Sequence, residues 1–415
     1  MHKIVTFLGL KSRLATYCHG GRTYEKQVFA EVLRELVDDF DRMLVFVTEQ
    51  AYRETYPTLA ALHDERIAPV HIPTGETTAE MWETFEAVTN AVDEGDEVTF
   101  DITHGLRSIP FLVFLAAAFL KSAKGVTIGA VYYGALELSR AAEGAPIIEL
   151  TDFIGLLDWL NASNQFIRLG DATALADQLL AAQPHPTLRQ QDEVARRYSK
   201  QLGDAAGALN NVSLALRLIL PDQAMEASDK LRGVLTNAAT ATGELARPFA
   251  VLAERVADAY APLGLPHPHA RESRVSSLSS ERRMVRWYLE RSLLVQAVVL
   301  GREWLVTWGV VLAKLGDPYD NKRVRDEVEH AFAAASSGRG HYSDHVFSSG
   351  RRLYDLPSHA QAIGLFDKLG NVRNILCHAN KRLDHVSAQR LEKNAIKWCQ
   401  ELDSLPISDA GRVSS

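Results

Sequence analysis

Two residues near the end of the sequence, Arg373 and His378, have side chains that could act together on a reacting phosphate. Histidine transfers protons near neutral pH, and arginine stabilises negative charge as it develops. The segment reads RNILCH, so Asn374 adds an amide beside the arginine. Attack of an RNA 2′-hydroxyl on its own phosphodiester needs a proton acceptor, a proton donor and a cation, and no metal ion. One pair is sparse for these tasks, whereas two copies facing each other across a dimer axis would supply them.

The same arginine-to-histidine spacing occurs three times, and about one occurrence is expected by chance from 32 arginines and 14 histidines in 415 residues. Arg66 and His71 lie on a predicted strand, which points them to opposite faces, so we interpret them as structural. Arg325 and His330 lie among three carboxylates, which would neutralise the arginine and repel RNA. The third pair has no acidic residue within it, and two basic residues follow. Its surroundings therefore suit an anion better than those of the other two.

The segment AIGLFDKLGNVRNILCHANKRL predicts an amphipathic helix that carries this third pair. Arg373 falls at the rim of the apolar stripe, while Asn374 and His378 share the far face, which could meet a partner subunit. The predicted stripe consists of Leu365, Leu369, Val372, Leu376 and Ala379.

Upstream of this helical part, the first 150 residues alternate between strand and helix patterns, which predicts an α/β domain with a Rossmann-like parallel sheet. HGGR indicates a turn or hairpin, and SIPFLVFLAAAFLKSA a buried helix rather than a membrane span. APIIELTDF suggests one further strand at an edge. The five main predicted strands are KIVTFLG, RMLVFVT, IAPVHIP, DEVTFDIT and VTIGAVYYGAL.

From about residue 152 onward the strand signals fade and helical patterns continue, which predicts an all-α region. The glycine-rich stretch 336–352 is predicted to be a loop. His341 and His345 within it have the spacing of metal ligands only if they are helical, and no third ligand is evident, so we predict no metal site. We expect three domains, at 1–152, 153–270 and 271–415.

In an open parallel sheet, ligands bind beyond the carboxyl ends of the strands. Three predicted strands end there in polar residues or glycine, in FLGLKS, FVTEQA and FDITHGLRSIP. The third turn precedes an apolar helix, whose free backbone N–H groups suit a phosphate. Asp101 and Thr103 could instead only cap this helix, with His104 a core residue. The polar and glycine positions of the turn are Asp101, Thr103, His104, Gly105 and Arg107.

Composition and charge limit the alternatives. No GxGxxG or Walker A motif is present, which gives little support to ordinary dinucleotide or nucleoside triphosphate binding. Residues 1–160 carry 13 basic against 24 acidic side chains, and residues 161–415 carry 32 against 28, so the second part is the better surface for RNA. The three cysteines form no CxxC pair, and the N-terminal apolar run is too short for a signal peptide. We expect a cytoplasmic protein that does not enter a membrane.

Taken together, these segments resemble the CARF–HEPN ribonucleases of type III CRISPR systems, which cyclic oligoadenylate activates. FLG, TEQA, DITHGLRSIP and YYGALE look like the sensor (CARF) domain of that family, and RNILCH is similar to its HEPN signature. The combination is more specific than either part. The resemblance implies a Rossmann-like CARF domain followed by a helical region that ends in a HEPN domain.

The resemblance also implies an activity, an activator and a set of residues. HEPN dimers cleave single-stranded RNA without a metal, so Arg373 and His378 would be catalytic, with Asn374 supporting them. The activator would be a ring of linked adenylates, for which we favour cyclic tetra-adenylate, held across the two-fold axis of a homodimer or higher homo-oligomer. Asp101 would hold the loop of the activator pocket. The residues implied to line that pocket are Gly9, Leu10, Thr48, Glu49, Gln50, Thr103, His104, Gly105 and Arg107.

Two other functions stay open at this point. The helical region could be catalytically silent, and the protein would then be a cyclic-oligonucleotide sensor that acts through protein interactions. Alternatively, the sensor domain could also degrade its own cyclic activator, for which Thr103 and His104 are conceivable participants. The intact RNILCH segment favours a ribonuclease.

Overall fold

The computed structural model divides the chain into two compact units, Met1–Asp158 and Trp159–Ser415. The boundary lies within one long helix, and the further predicted division at residue 270 stays a prediction. The structure describes residues 1–105, 107–139, 144–241, 247–318, 322–336, 347–379, 381 and 385–407.

The first unit contains one eight-stranded sheet. Its strands are β1 (His2–Phe7), β2 (Ala15–His19), β3 (Arg22–Lys26), β4 (Arg42–Val47), β5 (Ile67–His71), β6 (Glu97–Asp101), β7 (Thr127–Gly134) and β8 (Ala145–Glu149). They lie in the order β3-β2-β8-β7-β6-β1-β4-β5. The five strands β7, β6, β1, β4 and β5 are parallel to their neighbours in this set, which confirms the predicted Rossmann-like parallel core.

The other three strands extend the sheet beyond β7. The HGGR segment forms the predicted hairpin between β2 and β3, and Gly20 and Gly21 supply its two positive φ angles of 55° and 79°. β8 pairs with β7 on one side and with β2 on the other. The prediction that APIIELTDF forms an edge strand is therefore wrong, because the hairpin continues the sheet past it.

Helices cover both faces of this sheet. They are α1 (Phe29–Leu36), α2 (Glu49–Glu54), α3 (Tyr56–Ala60), α4 (Thr78–Asn90) and α5 (Ile109–Lys124). Ile4 of β1 is buried with α1 and α3, and the adjacent Val5 is buried on the opposite face with α4 and α5. Consecutive apolar residues in β1 follow from this burial on both faces.

The prediction that SIPFLVFLAAAFLKSA is a buried helix is only half right. The segment forms α5, with Val113, Ala117 and Leu120 in the core. Its outer face, however, exposes Phe111 by 66% and Phe119 by 46%. Both faces of α5 are apolar, so its sequence lacks the polar stripe that would have indicated an exposed side.

Helices make up the second unit, as predicted. They are α6 (Thr151–Leu169, which begins in the first unit), α7 (Thr173–Ala181), α8 (Pro186–Gln191), α9 (Glu193–Arg217), α10 (Pro221–Ala241), α11 (Arg247–Tyr260), α12 (Arg274–Glu290), α13 (Leu294–Leu312), α14 (Lys322–Ser336), α15 (Phe347–Tyr354), α16 (His359–Cys377) and α17 (Ala388–Glu401). α13 packs against α12, α14, α16 and α17. Among the described residues, α13 alone is long and apolar enough to cross a membrane, and most of it is buried, as in the core helix of a soluble protein.

The predicted loop at 336–352 is wrong over its last part. Residues from Phe347 onward belong to α15, because Leu353 in its last turn is buried in the core of the helical unit. His341 and His345 lie outside the described residues, so the interpretation of that pair stays a prediction.

Candidate functional site

A cavity of about 440 Å³ lies at the carboxyl ends of β1, β4, β5 and β6, where an open parallel sheet binds ligands. This volume is within the usual range for small-molecule sites. Five of its lining residues are among those implied by the resemblance, namely Gly9, Leu10, Thr48, Gln50 and Gly105. The others are Phe7, Leu8, Phe46, Ile72, Thr74, Glu76 and Ile109.

The loops after β1 and β4 are joined by side-chain contacts. Thr48 precedes α2, and its hydroxyl accepts a hydrogen bond from the backbone N–H of Ala51 at 3.3 Å. The buried Thr55 donates to the carbonyl oxygen of Gly9 at 2.9 Å and to that of Ala51 at 2.8 Å. Thr55 therefore fixes the first loop against α2. This role was not predicted, because the contact joins residues that are 46 positions apart in the sequence.

Asp101 and Thr103 organise the loop after β6 instead of lining the cavity. Asp101 is buried and accepts hydrogen bonds from the Thr6 hydroxyl at 2.6 Å and from the Thr103 backbone N–H at 2.7 Å. The Thr103 hydroxyl in turn accepts from the backbone N–H of Gly134 at 2.7 Å. Neither residue caps α5, because the residue at the N-cap position of this helix is Ser108. Thus the two side chains tie this loop to β1 and to the end of β7.

His104 lies beside Asp101 in the same loop. Its Nε2 atom is buried and has no hydrogen-bond partner among the described residues. Burial lowers the pKa of His104, and the attraction of Asp101 opposes this. Burial likewise raises the pKa of Asp101, opposed by His104 and by the hydrogen bonds from Thr6 and Thr103. Because burial lowers its pKa, the imidazole is neutral near pH 7. His104 is also not one of the residues that line the cavity.

Gly105 brings the loop close to the sheet. Its φ of +120° is in the region that favours glycine, and a Cβ atom there would lie 3.4 Å from both Phe7 Cβ and Ile109 Cγ1. The two remaining predicted residues, Glu49 and Arg107, are exposed and do not line the cavity. Glu49 accepts a hydrogen bond from Arg53 at 2.6 Å.

The loop after β5 also lines the cavity, through Ile72, Thr74 and Glu76, and this loop was not predicted from the sequence. Glu80, in the first turn of α4, holds this loop. One of its carboxylate oxygens accepts from the backbone N–H groups of Gly75 at 2.7 Å and Glu76 at 2.9 Å. The polar TGET after IAPVHIP was a usable signal, since it follows a strand as the three recognised loops do.

The Arg–His segment lies at the end of α16, in the second unit. Arg373 is partly buried, and its guanidinium donates to the Asn374 side-chain oxygen at 3.2 Å. His378 follows the last helical residue, is exposed, and donates its backbone N–H to the carbonyl of Asn374 at 3.0 Å. Of the predicted apolar stripe, Leu365, Leu369 and Val372 are buried and Leu376 is partly buried, whereas Ala379 is exposed.

The other two arginines of this spacing are neutralised by carboxylates. Arg66 forms an ion pair with Asp64 at 2.8 Å. Arg325 donates to Glu303 at 2.9 Å and to the Thr307 hydroxyl at 2.9 Å, so its partner comes from α13 and not from its own helix. No carboxylate pairs with Arg373 in the described part of the chain. Within those same residues, no group of three or more His, Cys, Asp or Glu side chains could hold a metal.

No protein-family model matches the sequence, whereas a curated protein and solved structures are similar to it. The CRISPR-associated protein MJ1674 of Methanocaldococcus jannaschii is 31% identical over 103 residues, which are 24% of this chain and 16% of that protein. The match thus spans about a sixth of the relative. The solved structure of Enterococcus italicus Csm6 bound to cyclic hexa-2′-fluoro-hexa-dAMP aligns over 98% of this chain and 95% of that one, at 9% identity and a TM-score of 0.43.

Proposed function

We propose that this protein is a cytoplasmic endoribonuclease of type III CRISPR antiviral defence, activated by a cyclic oligoadenylate. The observation that carries the proposal is the cavity at the carboxyl ends of the parallel strands. Three separate loops, each expected from sequence to meet a ligand, supply Gly9, Thr48, Gly105 and their neighbours to one surface. The activator is a ring of adenylates, for which we favour cyclic tetra-adenylate.

Phosphates of the ring would be bound by backbone groups. The first unit is acidic, and among the cavity-lining residues the charged side chain is Glu76, so no lysine or arginine there neutralises a phosphate. The backbone N–H groups of Gly9 and Gly105 have no protein acceptor among the described residues. Free N–H groups in a glycine loop bind anions without a basic side chain.

Cleavage takes place at a composite site formed by two copies of α16. His378 of one copy accepts the proton of the 2′-hydroxyl, and the 2′-oxygen forms a bond to phosphorus. The bond from phosphorus to the 5′-oxygen then breaks, and the second histidine donates a proton to that oxygen. Arg373 stabilises the charge on the phosphorane. The products carry a 2′,3′-cyclic phosphate and a 5′-hydroxyl, and no metal is required.

Replacement of His378 by alanine tests the assignment of catalysis. End-labelled single-stranded RNA is incubated with wild type or H378A in EDTA, with cyclic tri-, tetra- or hexa-adenylate present. We expect one ring to support cleavage by wild type and the rate to fall roughly 10²- to 10⁴-fold in H378A, because proton transfer is lost.

H330A is the matched control, since His330 is an exposed histidine at the same spacing from an arginine that Glu303 neutralises. It should cleave like wild type. Full activity in H378A would contradict the catalytic role. Ring binding with no cleavage by wild type would favour the silent sensor, and linearisation of the ring in the absence of RNA would favour a sensor that degrades its activator.

A further inference from the structure

The cavity in the first unit has walls of opposite hydrogen-bonding character. One wall is formed by the loops after β1 and β6, where the N–H groups of Gly9 and Gly105 have no protein acceptor among the described residues. It also includes the start of α5 at Ile109, where a helix has N–H groups without intrahelical acceptors. This wall therefore presents hydrogen-bond donors.

The loop after β5 lines another part of the cavity, and three of its donors are already used. The backbone N–H groups of Gly75 and Glu76 both point to the Glu80 carboxylate, at 2.7 and 2.9 Å. The Thr74 hydroxyl donates to the same oxygen at 3.3 Å. The charged side chain that this loop presents to a ligand is the exposed Glu76 carboxylate, which accepts hydrogen bonds and donates none.

This arrangement fixes how a nucleotide would lie in the cavity. A phosphate is repelled by Glu76 and suits the donor wall, so the base is directed to the loop after β5. A carboxylate there accepts from an amino group on the base, and a bond to an ionised acceptor is stronger than one between neutral groups. Adenine carries such a donor in its 6-amino group.

We infer that Glu76 accepts a hydrogen bond from the 6-amino group of adenine in the bound ring and so favours a base that carries an exocyclic amino group. Glu80 is a positioning residue, because it fixes the loop that carries Glu76 and accepts hydrogen bonds from three of that loop's donors. The inference rests on the proposed function, since it takes a ring of adenylates as the ligand.

A thermodynamic cycle tests this role. Calorimetry first identifies which of cyclic tri-, tetra- or hexa-adenylate binds wild type most tightly. A ring of the same size is then made with purine in place of adenine, which removes the 6-amino group and adds no other donor. Wild type should bind the purine ring roughly ten- to hundredfold more weakly. E76A should bind the two rings within about threefold of each other, because the acceptor is absent.

E94A is the matched control, since Glu94 is an exposed glutamate in the turn before β6, at the amino ends of the strands. It should keep the wild-type preference. Equal binding of both rings by wild type, or an undiminished preference in E76A, would overturn the role of Glu76 while leaving ring sensing intact. Failure of every adenylate ring to bind would overturn the proposed function itself, and this inference with it.

Discussion

At the scale of single residues, the environment of an arginine decides whether it can meet a phosphate. Arg325 is held by Glu303 and Thr307, whereas the partner of Arg373 is the neutral amide of Asn374. An amide oxygen orients a guanidinium without cancelling its charge. The charge of Arg373 is therefore not balanced by a carboxylate in the described part of the chain and could meet an anion, in agreement with the absence of acidic residues from RNILCH.

The carboxyl group of Glu281 in α12 is also governed by its surroundings. The side chain is buried, and burial, together with the nearby Asp222 and Glu303, raises its pKa to about 8, although Arg325 opposes the shift. Between the ordinary glutamate pKa and about pH 8, the unfolded chain loses this proton while the folded chain retains it. The free energy of unfolding therefore falls as pH rises through this range.

We predict that E281Q removes this pH-dependent loss of stability. Relative to wild type, the variant should gain about 1–3 kcal/mol of unfolding free energy between pH 5 and pH 8, because glutamine does not ionise. Urea denaturation followed by tryptophan fluorescence measures the difference. E290Q, an exposed position on the same helix, should show no such gain, and an identical pH dependence for E281Q and wild type would refute the buried-acid explanation.

The sequence could predict the residue types at these sites but not their partners. The lack of carboxylates around Arg373 was readable from RNILCH itself. The contact between Arg325 and Glu303 joins α14 to α13, which no spacing rule reveals. Glu76 was not predicted for a different reason, because the strand before it, IAPVHIP, has a weak sequence signal.

At the scale of elements, α5 shows a helix with one buried and one exposed apolar face. L120A should lower the unfolding free energy by about 2–5 kcal/mol, because Leu120 is fully buried and the truncation leaves a cavity. F111A should cost less than about 1 kcal/mol, since that ring is 66% exposed. Urea unfolding followed by circular dichroism compares the two. Equal losses would mean that the outer face of α5 is covered in solution.

The local sequence predicted some helices and strands better than others. Continuous apolar runs predicted the central strands correctly, because a strand buried on both faces has no polar alternation. The position of β8 depends on pairing with β2, more than 120 residues earlier, and the local sequence carries no record of that partner. Helix α5 is apolar on both its buried and its exposed face, so its sequence did not indicate which face packs against the core.

At the scale of the whole molecule, we propose that the first unit binds the ring and that the second cleaves RNA. The α/β and all-α parts were predictable from periodicity. The several segments together resembled one family, whereas RNILCH alone was too short to suggest one. In the proposed function, the effect of a bound ring on cleavage would depend on the assembly of two chains. Such coupling is a difference in free energy between conformational states of the assembly. No local pattern in the sequence of one chain predicts it.

The measurement that tests the central claim most directly is the initial rate of RNA cleavage as a function of ring concentration. We predict a rise of roughly ten- to hundredfold that saturates, with a midpoint equal to the ring's dissociation constant measured by calorimetry on the same protein. A rate that does not change with any ring, or cleavage by a protein that binds no ring, would contradict the account.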